Sequence, residues 1–74
     1  MPNITNETRA QRAEAALMQY VEAKGEVFEN SSSEIADLIA DLLHLAAKLD
    51  EEVEGVLRLA MTHFEAEHGN PEEE

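Results

Sequence analysis

Apolar residues recur along this chain at helical spacing in three stretches. Ala10, Ala13, Leu17, Tyr20, Val21 and Lys24 share one side of a first helix, expected over about Asn6 to Lys24. Thr5 or Asn6 is placed to cap its start, and Gly25 follows where a left-handed C-terminal residue is expected. Residues 25–33 read as a connection in which Val27 and Phe28 fold back over one end of the core. Ser31 and Glu34 have the spacing of a capping box, which marks the start of a second helix, about Ser32 to Leu49. Ile35, Leu38, Ile39, Leu42, Leu43, Leu45, Ala46 and Leu49 form its apolar side. With Ala36, Ala40 and Ala47 that side spans about 220° of the helical wheel. A face so wide predicts the central element of the fold, with Asp37, Asp41, His44 and Lys48 as its polar stripe. Asp50 is expected to cap a third helix, with Glu51, Glu52 and Glu54 at the positive end of its dipole. Val53, Val56, Leu57, Ala60, Met61 and Phe64 are its expected buried face, and Gly69 and Pro71 stop it.

These elements predict an all-α, compact three-helix bundle over residues 6–69, monomeric or dimeric. A flexible arm (residues 1–5) precedes it and an acidic tail (70–74) follows. A rival organisation runs through the same residues. Ile35, Ile39, Leu42, Ala46, Leu49, Val53, Val56, Ala60 and His63 alternate by four and three, a heptad pattern that passes Asp50 unbroken. The alternative is therefore a helical hairpin with one long second helix, for which a dimer is nearly obligatory.

Length and charge narrow the function classes. Seventy-four residues make one small domain that buries a modest fraction of its surface. There is no cysteine to staple it. The formal net charge is −12, and it is uneven. Up to Lys24 three acids face three bases, whereas from Gly25 onward fourteen acids face only Lys48 and Arg58. Such a surface opposes direct binding to nucleic acid, which requires cationic groups to displace counterions. It opposes adhesion to an anionic membrane for the same reason. No apolar run has the length of a membrane span, and the first twelve residues lack the apolar stretch of a secretory signal, so the expected location is cytoplasmic.

No catalytic group stands out. His63 lies at the margin of a core face, and Ser31 to Ser33 are accounted for as caps, so no nucleophile and base are paired. Asp41–His44 and Glu65–His68 have the carboxylate-x-x-His spacing of di-iron bundles, without the inward glutamates that such a site needs. Glu34, Asp37, Asp41 and His44 form a ladder whose oxygens suit a hard cation, or a solvated stripe paired to Lys48.

Residues 33–57, SEIADLIADLLHLAAKLDEEVEGVL, resemble the third-helix region of the all-α MazG-type nucleotide pyrophosphohydrolases. In that family an E-x-x-E and an E-x-x-D bind Mg²⁺ and activate water. The resemblance implies a metal role for Glu34 and Asp37, with Mg²⁺ as cofactor under this alternative only. The first acidic pair has no counterpart on helix 1, where Glu14 and Glu22 are eight apart. The whole chain also resembles small uncharacterised helical proteins of bacteria and their phages, through residues 12–16, 36–46 and 56–67.

The leading expectation is a non-enzymatic, acidic interaction protein that binds a basic protein surface. A phage or plasmid accessory protein or inhibitor is its concrete form. Asp37, Asp41, His44, Glu51 and Glu52 are the expected contact residues, with Leu59, off the core stripe, as an apolar anchor. No cofactor belongs to this reading.

Overall fold

The structure, a computed structural model, describes residues 5–69. Three helices follow one another: α1 (Asn6–Ala23), α2 (Ser32–Lys48) and α3 (Val53–Gly69), with no strand among the described residues. The chain is all-α, a compact three-helix arrangement. The expected arm and acidic tail lie outside the described residues except for Thr5.

Local sequence accounts for the helix ends. The Thr5 hydroxyl accepts the Thr8 N–H at 3.1 Å and caps α1. At the start of α2 the capping box is complete: the Glu34 N–H donates to Ser31 Oγ, and the Ser31 N–H donates to the Glu34 carboxylate. Both α1 and α2 end in the same backbone motif. The Gly25 N–H donates to the Glu22 carbonyl and the Glu26 N–H to that of Val21. One helix later, the Asp50 N–H donates to Ala47 and the Glu51 N–H to Ala46. This is the Schellman turn, and it requires a left-handed residue at its pivot. Gly25 (φ 77°) and Asp50 (φ 67°) fill that place.

Asp50 thus corrects the expectation that it opens α3. It closes α2 instead, and α3 opens at Val53, with the Val56 N–H donating to the Glu52 carbonyl. The turn also decides against the single long helix. The heptad pattern continues through residues 49–53, but the helix ends there, because the Asp50 and Glu51 N–H groups turn back to the Ala47 and Ala46 carbonyls.

α2 is central, as its wide face predicts, and packs against both α1 and α3. The side chains that become buried are few: Leu17 and Val21 of α1, Ala46 of α2, and the carboxylate-bearing Glu34. α3 buries none. Of the core expected on α2 and α3, Ala46 is buried and Leu38, Leu43 and Val53 are partly covered, while the other large side chains stay open. Ile35, Ile39, Leu42, Leu45 and Leu49 remain about half exposed, as do Val56, Leu57, Met61 and Phe64. Val27 is 81% exposed and does not fold back over the core, and Phe28 is only partly covered. Periodicity marks which face is apolar; the crossing of the helices determines how much of it a neighbour covers.

Candidate functional site

The polar stripe of α2 does not stand free of the rest of the molecule. Tyr20 and Lys24, one turn apart near the end of α1, reach across to it. The Tyr20 hydroxyl donates to the Asp41 carboxylate and also lies 3.2 Å from the Asp37 carbonyl oxygen. Lys24 Nζ sits 3.5 Å from Asp37 Oδ2 and 3.4 Å from Glu26, and 4.8 Å above the Tyr20 ring. The hydrogen bond to Asp41 comes first in raising the Tyr20 pKa above its ordinary value, with desolvation and the Asp41 charge adding to it. Desolvation pulls the Lys24 pKa down, but the Glu26 carboxylate, the Tyr20 ring oxygen and Asp37 together outweigh it and the net shift is upward. Asp37 and Asp41 are therefore oriented acceptors held by α1. Sequence reasoning missed Tyr20 and Lys24 as partners of this stripe. Their i, i+4 spacing was the available signal, but only the helix crossing brings them to Asp37 and Asp41.

Glu34 belongs to a different structure from the rest of the ladder. It is buried, and its carboxylate receives the Glu29 N–H at 2.8 Å and the Ser31 N–H at 3.0 Å, with the Asn30 backbone also donating. Burial raises its pKa, yet the backbone N–H groups of Ser31, Glu29 and Asn30 stabilise the charge more, and the carboxyl sits below its ordinary range. The Glu34 carboxylate is thus engaged in holding the entry to α2, whereas Asp37 is engaged by Lys24. Among the described residues no three His, Asp or Glu side chains converge as a metal site would demand.

The other carboxylate-x-x-His sequence ends in a ring contact. His68 stacks on Phe64 with centroids 5.2 Å apart and planes 10° from parallel. His44 and His63 are exposed. Near the same end of α3, Asn6 Nδ2 donates to the Glu67 carbonyl at 3.0 Å and Arg9 Nε lies 3.5 Å from the Glu67 carboxylate, which ties the start of α1 to the end of α3.

Glu51 and Glu52 are exposed at the start of α3, together with Glu54. Glu52, Gly55 and Leu59 follow at spacings of three and four, so they fall on one side of α3. The Glu52 carboxylate lies over Gly55, 2.8 Å from where a Cβ would stand. Leu59 is 57% exposed beyond it. The expected contact residues thus form two groups: Asp37 and Asp41 held by α1, with His44 exposed on the same helix, and Glu51, Glu52 and Leu59 at and beyond the start of α3. The corner at Asp50 separates them.

No helix among the described residues is long and apolar enough to cross a membrane. Comparison with protein-family models, with curated proteins and with solved structures gave no match to this chain.

Proposed function

We propose that this protein is a non-enzymatic interaction protein whose acidic surface docks on a basic surface of a partner protein. The observation that carries this reading is Leu59, a large apolar side chain left open beside the exposed acids that begin α3. An apolar anchor with a charged surround is the arrangement that gives a contact both affinity and steering. Asp37 and Asp41 add a second acidic element whose geometry Tyr20 and Lys24 fix in advance. Pre-oriented acceptors lose less side-chain entropy on binding than free ones. Fourteen acids against two bases after Lys24 give the long-range field that brings a cationic surface in.

The test uses the full chain, immobilised, to capture proteins from lysate of its source cells at low salt. A basic protein that the native chain retains should elute as salt rises, since exposed charges are screened over about 8–10 Å near physiological ionic strength. Retention should fall at least tenfold with Glu51→Lys/Glu52→Lys and with Leu59→Ser. Retention indifferent to these changes and to salt refutes the docking reading. Release of pyrophosphate from a nucleoside triphosphate with Mg²⁺, lost on Glu34→Gln, would replace it with the enzymatic alternative.

A further inference from the structure

An open groove of about 440 Å³ runs between α1 and α2. Its floor is the ridge Ile35, Ile39 and Leu42, and its α1 wall is Ala10, Ala13 and Leu17. With Phe64, Ala10 also lines a neighbouring hollow whose other lining residues are the polar Asn6, Arg9, Glu67 and His68. Among the groove's lining residues Glu14 is the one acid, and Asn30 Nδ2 donates to it at 2.9 Å. The floor residues and Phe64 are each about half exposed in the single chain.

We propose that this face is covered by a second copy of the same chain, making the protein an isologous homodimer. Three independent features select that occupant. The first is area. Ile35, Ile39 and Leu42, with the alanines and with Leu45 and Leu49 further along α2, expose apolar surface on the order of 500 Å², at the upper end of what a monomer exposes. A standard stable interface takes about 800 Å² per partner, of which this would be the apolar part. The second is need. Among the described residues three apolar side chains are buried, a small core for a domain of this size, and small domains commonly complete theirs by oligomerising. A second copy is present wherever the first is. The third is charge. A chain with twelve excess negative charges repels its own copy unless the acids avoid the shared face. The groove floor carries none: Asp37 and Asp41 lie about 160° and about 120° around α2 from Ile35, and the one acid that lines the groove, Glu14, accepts a hydrogen bond from Asn30. A basic partner would find nothing on the groove floor to complement. Ile35, Ile39 and Leu42, spaced by four and three, are a ridge that packs on its own image across a two-fold axis. This inference is independent of the proposed acidic docking surface, because it leaves Leu59, Glu51 and Glu52 outside the groove.

Sedimentation equilibrium of the full chain from about 1 to 100 µM, paired with thermal melts at the same concentrations, tests it. The expected mass is twice the chain's 8.2 kDa, with a melting temperature that rises with concentration. A one-copy mass throughout, with a concentration-independent melt, overturns the proposal, as does an assembly of more than two copies. Ile39→Asp should either sediment as one copy or lose its helical signal. At a position already half open in the single chain, either result means the native face is covered. Gln19→Asp adds the same charge outside the groove and should remain dimeric. A dimeric Ile39→Asp, or a monomeric Gln19→Asp, refutes the assignment of the face.

Discussion

The corner joining α1 to α2 and the corner joining α2 to α3 begin with the same backbone turn and are held in different ways. At the first, Leu17, Val21 and Glu34 become buried, and Tyr20, Lys24 and Asn30 make side-chain bonds from one element to the next. At the second, Ala46 is buried and α3 contributes no buried side chain. The first corner is fixed by side chains as well as backbone. The second depends mainly on its backbone turn, with the apolar faces on either side left open. The difference teaches that a helical hairpin can have a defined turn without a defined core. It also places most of the buried side chains of the described residues at the α1–α2 corner.

The largest effect expected from this contrast is at Leu17. It is 4% exposed and lies between α1 and α2. Leu17→Ala should cost about 2–5 kcal/mol as a buried large-to-small change. Leu59→Ala, on the open side of α3, should stay within about 0.5 kcal/mol. Urea midpoints of the two variants at one protein concentration measure the difference. Equal losses would mean that α3 is as firmly packed as α1 and would remove the distinction between the corners.

The next effect is at Glu34, whose carboxylate holds the entry to α2. Glu34→Ala leaves the backbone N–H groups of Glu29 and Ser31 without their acceptor and should lower the urea midpoint, by less than Leu17→Ala does. Its pH dependence has a definite sign. The folded carboxyl is held below its ordinary value, so its contribution is fully present above the unfolded value of about 4.3 and is lost as pH falls through the folded one. Glu34→Gln retains one acceptor oxygen and cannot titrate. The native chain should therefore lose more stability between pH 7 and pH 3 than Glu34→Gln does, when both are measured by urea unfolding at each pH. Parallel losses in the two proteins would show that the Glu34 charge contributes nothing to the corner.

How much of this was legible beforehand follows the range of the interactions. The capping box at Ser31 and Glu34, the Thr5 cap and the left-handed Gly25 were readable, because each is decided within about six residues. The position of α2 at the centre followed from the width of its apolar face. Asp50 was misread because Asp is a good N-cap and three glutamates follow closely; its backbone conformation is set by the end of α2, which a cap preference does not encode. The exposure of Ile35, Ile39, Leu42 and Phe64 was beyond reach, since a helical pattern names an apolar side without naming what covers it. The Tyr20–Asp41 and Lys24–Asp37 pairs depend on the crossing of α1 over α2 and left only their spacing in the sequence. Of the expected contact residues, Leu59, Glu51 and Glu52 are open as anticipated, while Asp37 and Asp41 are engaged by α1.

The smallest effect is the one that compares the two corners most directly, because it exchanges their pivots. Gly25 and Asp50 occupy the same place in the same turn, at φ 77° and 67°. A Cβ costs about 1–2 kcal/mol in the left-handed region, less for Asp, whose short polar side chain tolerates it. No atom stands within 4 Å of the Cβ position at Gly25, so Gly25→Ala isolates this backbone term from any clash. It should destabilise by about 1 kcal/mol. Asp50→Gly removes the same penalty at the other corner and also removes one negative charge from the run Asp50, Glu51, Glu52 and Glu54. It should stabilise by about 0.5–1 kcal/mol, the greater entropy of the unfolded glycine offsetting part of the gain. Asp50→Asn separates the two causes: it keeps a side chain suited to the left-handed region and deletes the charge. If Asp50→Asn accounts for the whole gain of Asp50→Gly, then repulsion among the acids, and not the pivot, is what weakens the second corner. If Asp50→Gly lowers the urea midpoint, the turn at residues 46–51 does not pivot on a left-handed Asp50, and the matched construction of the two corners is lost.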